Sequence, residues 1–214
     1  MTETYFAEAL IPALTRLGFG PIGAFRVDMG PETPAFYLLM PGSALEMLVT
    51  VDSHLRRDDV FAKTASSYWN IAANAPGFVR IESSLHVAFA SWPKLTVPKA
   101  LDRTKQIFQF RIYESATHQD HIRKIEMMMD GEARIFADAG LESVFYADTL
   151  IGAREPSLAY MLSVPELEKL NAAWDAFRNH PDWKKLSTDP KYAFEPIVSN
   201  ITNLILRPLS CSQI

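Results

Sequence analysis

The chain has 214 residues, of which 48% are hydrophobic and 21% are charged, so it can bury a sizeable core without a disulfide or metal staple. Its net charge of −4 and its lack of long Lys/Arg runs argue against nucleic-acid binding. The single cysteine, Cys211, rules out an internal disulfide and fits a reducing compartment. The first residues do not resemble a signal peptide and no apolar run reaches 18 residues, so we expect a cytoplasmic protein without a membrane span.

The first half of the chain is predicted to contain a helix, two strands, a second helix and a third strand. Leu10, Leu14 and Leu17 follow one another at helical spacing. Ser43 and Glu46 have the spacing of a capping box at the start of the second helix. The predicted ranges are 6–17, 22–29, 35–40, 43–55 and 79–89.

The second half is predicted to contain a strand, a long helix, two strands, a helix and a final strand. Gly140 ends the long helix, and Ser163 with Glu166 forms another capping-box spacing. The predicted ranges are 107–113, 122–136, 144–151, 158–162, 167–177 and 197–207. This βαββαβ order is typical of the ferredoxin-like fold.

The two halves are related by an internal repeat at an offset of 122 residues. Between Gly18 and Lys63 the aligned segments share 8 identities without a gap, where composition alone would give about 3. The identical pairs include Gly18 with Gly140, Gly30 with Gly152, and Pro34 with Pro156. Such a period indicates one structural unit used twice.

The predicted organisation is therefore a first ferredoxin-like repeat at 1–93, a linker at 94–105 and a second repeat at 106–214. The first repeat reads αββαβ, without an opening strand. That strand would normally lie beside the last one, so strand 79–89 would be left as an edge with unpaired backbone groups. We expect that another part of the chain or a second copy of it covers this edge.

Three segments of the second half resemble the NIPSNAP family. They are the strand that begins at Phe108, the run from His180 to Leu186, and the closing segment from Asn200 to Pro208. The resemblance implies the dimeric α/β-barrel superfamily, in which two ferredoxin-like units place their sheets face to face. With two units in one chain, the barrel would form within one molecule. The family has no settled enzymatic activity, and many of its bacterial members look exported.

Two predicted strands carry polar rows that could line such a barrel. Phe108, Phe110 and Ile112 are expected to pack under the helices, which leaves the polar row of strand 107–113 on the other face. The candidate catalytic residues are His86 as a base, Arg111 as a charge clamp, and Tyr113. The candidate ligand-binding residues are Arg80, Glu82, Ser84 and Gln109. The alternative is that these rows face solvent or form ion pairs between strands.

No cofactor and no metal site are predicted. His118 and His121 lie one helical turn apart, but the sequence offers no further nearby ligand, and a solvated helix start explains them. No histidine is marked as a haem ligand, and the glycine-rich segments lack the spacing of a phosphate loop.

Three functions remain open at this level. The first is a barrel of undefined biochemical activity that binds a small ligand or a protein partner. The second is a cofactor-independent oxygenase or isomerase that acts on a small organic substrate. The third is a structural homo-oligomer that assembles through sheet edges or faces. Whether the protein is an enzyme stays undecided.

Overall fold

The computed structural model describes residues 1–99, 102–192 and 197–214. These residues group into two compact units. The first unit comprises Met1–Arg26, Pro34–Glu82 and Pro208–Ile214, and the second comprises Val27–Thr33 and Ser83–Arg207. The predicted linker at 94–105 includes residues 100 and 101, which lie outside the described residues, so the predicted boundaries stay a prediction.

The first part of the chain forms helices around a short hairpin. The opening helix consists of α1 (Thr2–Tyr5), a π-helical turn (Phe6–Leu10) and α2 (Ile11–Arg16). Strands β1 (Gly23–Met29) and β2 (Phe36–Leu39) pair antiparallel. Three helices follow: α3 (Leu45–Val49), α4 (Val51–Leu55) and α5 (Asp59–Trp69).

The core of the first unit lies where this opening helix packs on α5. Leu14 is 1% exposed, and Phe61 and Ile22 are fully buried in the same cluster. Burial of such side chains contributes about 1.5–3 kcal/mol each. The helical spacing predicted for 6–17 is therefore confirmed as the stripe that faces this core.

The second unit contains a five-stranded antiparallel sheet and its helices. Its strands are β3 (Leu85–Ala88), β4 (Ile107–Glu114), β5 (Glu142–Ile151), β6 (Ser157–Val164) and β7 (Asn200–Pro208), of which Pro208 groups with the first unit. Its helices are α6 (His118–Met127), a π-helical turn (Met128–Glu132), α7 (Ala133–Asp138), α8 (Leu167–Asn179) and α9 (Pro181–Ser187). The strand order is β7-β4-β6-β5-β3. From β4 onward the elements follow the predicted βαββαβ order, which is confirmed.

The core of the second unit lies between its sheet and its helices. Phe136 of α7 stacks on Phe177 of α8 at 4.7 Å and on Tyr160 of β6 at 5.6 Å. All eight residues of β6 are buried, as expected for a central strand that is covered on both faces.

Gly18 and Gly140, which the repeat aligns, adopt the same backbone conformation. Each follows a helix and has a left-handed φ, of +86° and +83° respectively. This conformation costs little for glycine and commonly ends a helix. The two positions are therefore equivalent in structure as well as in sequence.

Two local predictions are wrong. Strand 79–89 is only the four residues of β3, and the preceding residues 79–84 form no strand. The expected edge position is observed, because β3 pairs antiparallel with β5 on one side and is the outer strand of the sheet in the second unit. Neither predicted capping box forms, because the N-caps of α3 and α8 are Ala44 and Glu166, without a side-chain cap bond.

Candidate functional site

The polar row of β4 lies on the face of the sheet that the helices cover, which is opposite to the prediction. Trp174 of α8 donates a hydrogen bond of 2.7 Å from its indole N–H to Oε1 of Gln109. The Arg111 guanidinium lies 4.6 Å from the Trp174 ring, and Lys124 of α6 lies 5.1 Å from the Tyr113 ring. The prediction that Phe108 packs under the helices is wrong, because successive residues of a strand point to opposite faces.

Arg111 is surrounded by aromatic rings. Besides Trp174, its guanidinium carbon lies 5.2 Å from the ring of Tyr113 and 6.0 Å from that of Tyr160. Each such cation–π contact contributes about 0.5–2 kcal/mol, more as water is excluded. The Arg111 Nε atom is buried and has no hydrogen-bond partner among the described residues.

A buried ion pair lies beside this arginine. Nζ of Lys124 donates to Oε2 of Glu132 at 2.5 Å, and the two side chains are 0% and 1% exposed. Glu132 is the last residue of the π-helical turn Met128–Glu132, in which the backbone leaves helical geometry at Gly131 (φ 176°, ψ −26°). Burial lowers the pKa of Lys124, while Glu132 opposes that shift.

Two tyrosines complete the cluster. The hydroxyl of Tyr160 donates to that of Tyr113 at 2.7 Å, and the rings meet edge to face. Burial raises the pKa of Tyr113 to about 12 and also raises that of Tyr160. Both phenols are therefore neutral at physiological pH and can donate or accept hydrogen bonds.

The charges of this Arg111 cluster do not cancel. Arg111 and Lys124 supply two positive charges and Glu132 supplies one negative charge. Within the described residues, no carboxylate forms an ion pair with Arg111. A desolvated positive charge with an unsatisfied donor favours an anion as its partner.

The structure separates His86 from this cluster. His86 of β3 is opposite Thr149 of β5. Arg111 of β4 is opposite Tyr160 of β6, which is in turn opposite Tyr146 of β5. Thr149 and Tyr146 are three residues apart on β5 and therefore point to opposite faces of the sheet. The prediction that His86 shares one cavity with Arg111 is wrong.

His86 has a polar neighbourhood of its own. Its Nε2 lies 2.9 Å from the Ser84 hydroxyl, and its Nδ1 lies 3.2 Å from the Thr149 hydroxyl. Ser157 donates in turn to the Thr149 hydroxyl at 3.0 Å. Arg80 and Glu82 belong to the first unit and form an exposed ion pair of 2.6 Å. Their position agrees with the alternative that this row faces solvent.

The described residues contain no group of three acidic, histidine or cysteine side chains that could hold a metal ion. His121 does not act with His118: its Nε2 lies 2.7 Å from Oδ1 of Asp148 on β5. A surface pocket of about 340 Å³ borders Gln106, Ser163 and Glu142, and no predicted site residue lines it. No described helix is both long and apolar enough to cross a bilayer.

Sequence reasoning missed Lys124, Glu132, Tyr160 and Trp174. Lys124 and Glu132 are eight residues apart, which is not a spacing that brings side chains together on a regular helix. The sequence carried no signal for Lys124, because the buried face of α6 is His121, Lys124 and Met127, whereas Ile122 and Met129 of the predicted stripe are 49% and 41% exposed.

Comparisons with known proteins identify a family domain in the second half of the chain. The NIPSNAP family profile matches residues 108–213. No curated protein is detectably similar to the chain in sequence. An uncharacterized NIPSNAP-like domain protein from Burkholderia xenovorans is 18% identical, with a TM-score of 0.44 over 50% of this chain and 88% of its own.

Two further structures resemble nearly the whole chain. A proposed monooxygenase from Fusobacterium nucleatum has a TM-score of 0.57 and 6% identity, over 94% of this chain and 83% of its own. A proposed monooxygenase from Lactobacillus acidophilus has a TM-score of 0.50 and 12% identity, over 88% of this chain and 76% of its own. These similarities confirm the predicted fold class, α+β of the dimeric α/β-barrel type. Residues 108–213, which are just under half of the chain, therefore form a NIPSNAP domain.

Proposed function

We propose that the protein binds a small organic anion, such as a carboxylate, at Arg111 of its NIPSNAP domain. The observation that carries this proposal is the buried Arg111 Nε atom without a hydrogen-bond partner, in a cluster with one more positive charge than negative charges. An unsatisfied buried donor costs about 1–3 kcal/mol, and more when it is charged. A bound anion recovers that free energy.

The surroundings of Arg111 support a carboxylate in particular. A guanidinium presents parallel N–H donors that match the two oxygens of a carboxylate. Stacking on Trp174 holds the plane of the guanidinium, and the Gln109 amide holds Trp174 in turn. The Gln109 amide also donates to Oδ1 of Asn203 at 2.8 Å, which fixes its orientation. The donors are therefore preorganised, which reduces the entropic cost of binding.

Binding of acetate, malonate and benzoate by isothermal titration calorimetry tests this proposal, with the corresponding neutral amides as matched ligands. We expect carboxylates to bind more tightly than amides, and Arg111→Gln to lower their affinity by about 10-fold or more, since charge-assisted bonds contribute about 1.5–3 kcal/mol. Arg178→Gln is the matched control, because Arg178 lies on the same helix as Trp174 but is exposed and paired with Asp175.

Two results would contradict the proposal. One is equal affinity of the wild-type protein for each carboxylate and its amide. The other is carboxylate binding that Arg111→Gln and Arg178→Gln change to the same extent. Arg111→Lys separates charge from geometry, because lysine keeps the charge but lacks the planar fork.

A cofactor-independent oxygenase or isomerase is the second candidate. The observation that favours it is the fold shared with two proposed monooxygenases. Arg111 would hold an acidic substrate, and the neutral Tyr113 would donate a proton or hydrogen bond to it. Oxygen uptake with a panel of phenolic acids, in the wild-type protein and in Tyr113→Phe, tests this reading. Uptake equal to that of buffer would exclude the oxygenase.

We further propose that the protein is a cytoplasmic homo-oligomer that assembles through a sheet edge. The support is that β3 is the outer strand in the second unit and that its residue Val87 is 47% exposed. Light scattering at several concentrations measures the oligomeric state, and Val87→Lys is the variant that tests this edge. A monomer at all concentrations would refute it.

A further inference from the structure

We propose that Ser84 is a nucleophile that His86 activates, and that it accepts an apolar acyl group from an ester or thioester. The site lies on the face of the sheet opposite to the Arg111 cluster and is independent of the function proposed there. Nucleophilic catalysis requires a hydroxyl within hydrogen-bond reach of a base, and a third group that orients the base. Ser84, His86 and Thr149 meet this requirement.

The geometry around His86 defines the role of each group. The Ser84 hydroxyl lies 2.9 Å from Nε2, and the Thr149 hydroxyl lies 3.2 Å from Nδ1. When Nδ1–H donates to Thr149, Nε2 is left without a proton and accepts the one from Ser84. Ser157 is 2% exposed and donates to the Thr149 hydroxyl, so it holds the orienting group in place.

An irregularity in the sheet creates this arrangement. Leu85 is opposite Ile151, yet the next residue, His86, is opposite Thr149, so the register shifts between them. Bulges of this kind often re-aim a side chain beside an active site. Burial lowers the pKa of His86, with Asp148 opposing the shift, so the ring is neutral and can accept a proton at neutral pH.

The surroundings of Ser84 indicate the class of substrate. Ser84 is exposed, so its hydroxyl can be reached from solvent. Ile151 lies two residues beyond Thr149 on the same face, about 7 Å along the strand, and is 63% exposed. An apolar acyl chain beside Ser84 would cover it.

The proposed step is an ordinary acyl transfer. The Ser84 Oγ atom attacks the acyl carbon while its proton passes to Nε2 of His86. The bond from the acyl carbon to the leaving oxygen or sulfur then breaks, and Nε2 returns the proton to that leaving group. Water then attacks the acyl carbon and gives a proton to Nε2. The bond from the acyl carbon to the Ser84 Oγ atom breaks, and Nε2 returns the proton to Oγ.

Labelling with an alkyl fluorophosphonate, followed by peptide mass spectrometry, tests the nucleophile, and hydrolysis of p-nitrophenyl butyrate tests turnover. We expect an adduct on Ser84 in the wild-type protein and in Ser83→Ala, and none at this position in Ser84→Ala. Ser83 is the matched control, since it is the neighbouring exposed serine. His86→Gln should slow labelling by about 10²–10⁴-fold, the usual contribution of a general base.

Thr149 is a positioning residue and needs its own control. Thr149→Val should slow labelling, and Thr149→Ser, which keeps the hydroxyl, should restore it, with the thermal midpoint unchanged in both. Absence of an adduct on Ser84 in the wild-type protein would overturn the inference. So would a labelling rate in His86→Gln equal to that of the wild type. Neither result bears on carboxylate binding at Arg111, so the experiments can refute one proposal without refuting the other.

Discussion

Removing the carboxylate partner of the buried Lys124 should destabilise the protein strongly. At their N–O separation of 2.5 Å the attraction between Lys124 and Glu132 is about 7 kcal/mol at an effective dielectric constant of about 20. Desolvation of both groups offsets much of this. Glu132→Gln removes the attraction but leaves the lysine buried, so we expect a loss of about 3–5 kcal/mol in the free energy of unfolding at pH 7.

The loss should shrink as pH rises. Burial already lowers the pKa of Lys124, and in Glu132→Gln the opposing influence of the carboxylate is gone, so that pKa falls further. Between the lowered folded pKa and the ordinary value of 10.5, the unfolded chain binds more protons than the folded one. Stability therefore rises with pH across this window, and does so more steeply in the variant than in the wild type.

Urea denaturation at pH 7 and at a pH just below that ordinary value measures both effects. The matched control is the double variant Lys124→Met with Glu132→Leu, which removes both charges at similar volume. It should recover most of the lost stability, because well-packed apolar residues often replace a buried ion pair at little cost. A loss below about 1 kcal/mol in Glu132→Gln would refute this reasoning. So would a double variant as unstable as the single one.

Three further predictions concern local structure. Gly140→Ala should lower the free energy of unfolding by about 1–2 kcal/mol, because a left-handed φ of +83° is unfavourable for alanine, although its Cβ would meet no atom within 4 Å. Gly140→Asn should lower it less, and equal stability of all three proteins in urea or thermal unfolding would contradict this. Tyr160→Phe should move the ionisation of Tyr113, followed by phenolate absorbance, upward from about 12, since the hydrogen bond from Tyr160 lowers that pKa; an unchanged titration would show that the bond is absent. Thr117→Ala should cost about 1 kcal/mol, because its hydroxyl accepts the backbone N–H of Asp120 at 3.1 Å and caps α6, whereas Thr117→Ser should be nearly neutral.

The fold of the second half could be predicted because its signals are local. The alternation of β4 is a property of neighbouring residues, and Gly140 marks a helix end by its own conformational freedom. The length of strand β3 was overestimated because the prediction used only local signals. Residues 79–89 alternate well, but only four of them find a partner strand, and pairing is not a local property.

The side of the sheet that the helices cover could not be predicted. Both faces of β4 are buried, as shown by Phe108 at 0% and Gln109 at 5% exposure, so polarity alone does not tell which face meets the helices. Gln109 is buried because Trp174 and Asn203 satisfy its amide, and neither partner is near it in the sequence. The candidate site residues stay a prediction, and how they group depends on contacts between distant segments.

The π-helical turn Met128–Glu132 makes the register between α6 and α7 unusually sensitive to chain length. Each residue of a regular helix rotates the chain by about 100°, so deleting one residue within the turn would swing Glu132 to another side of its helix. Homologous sequences that are one residue shorter at this point would lose the pairing with Lys124 even if they kept both residue types. Alignments that place their gaps only in loops would hide such a difference.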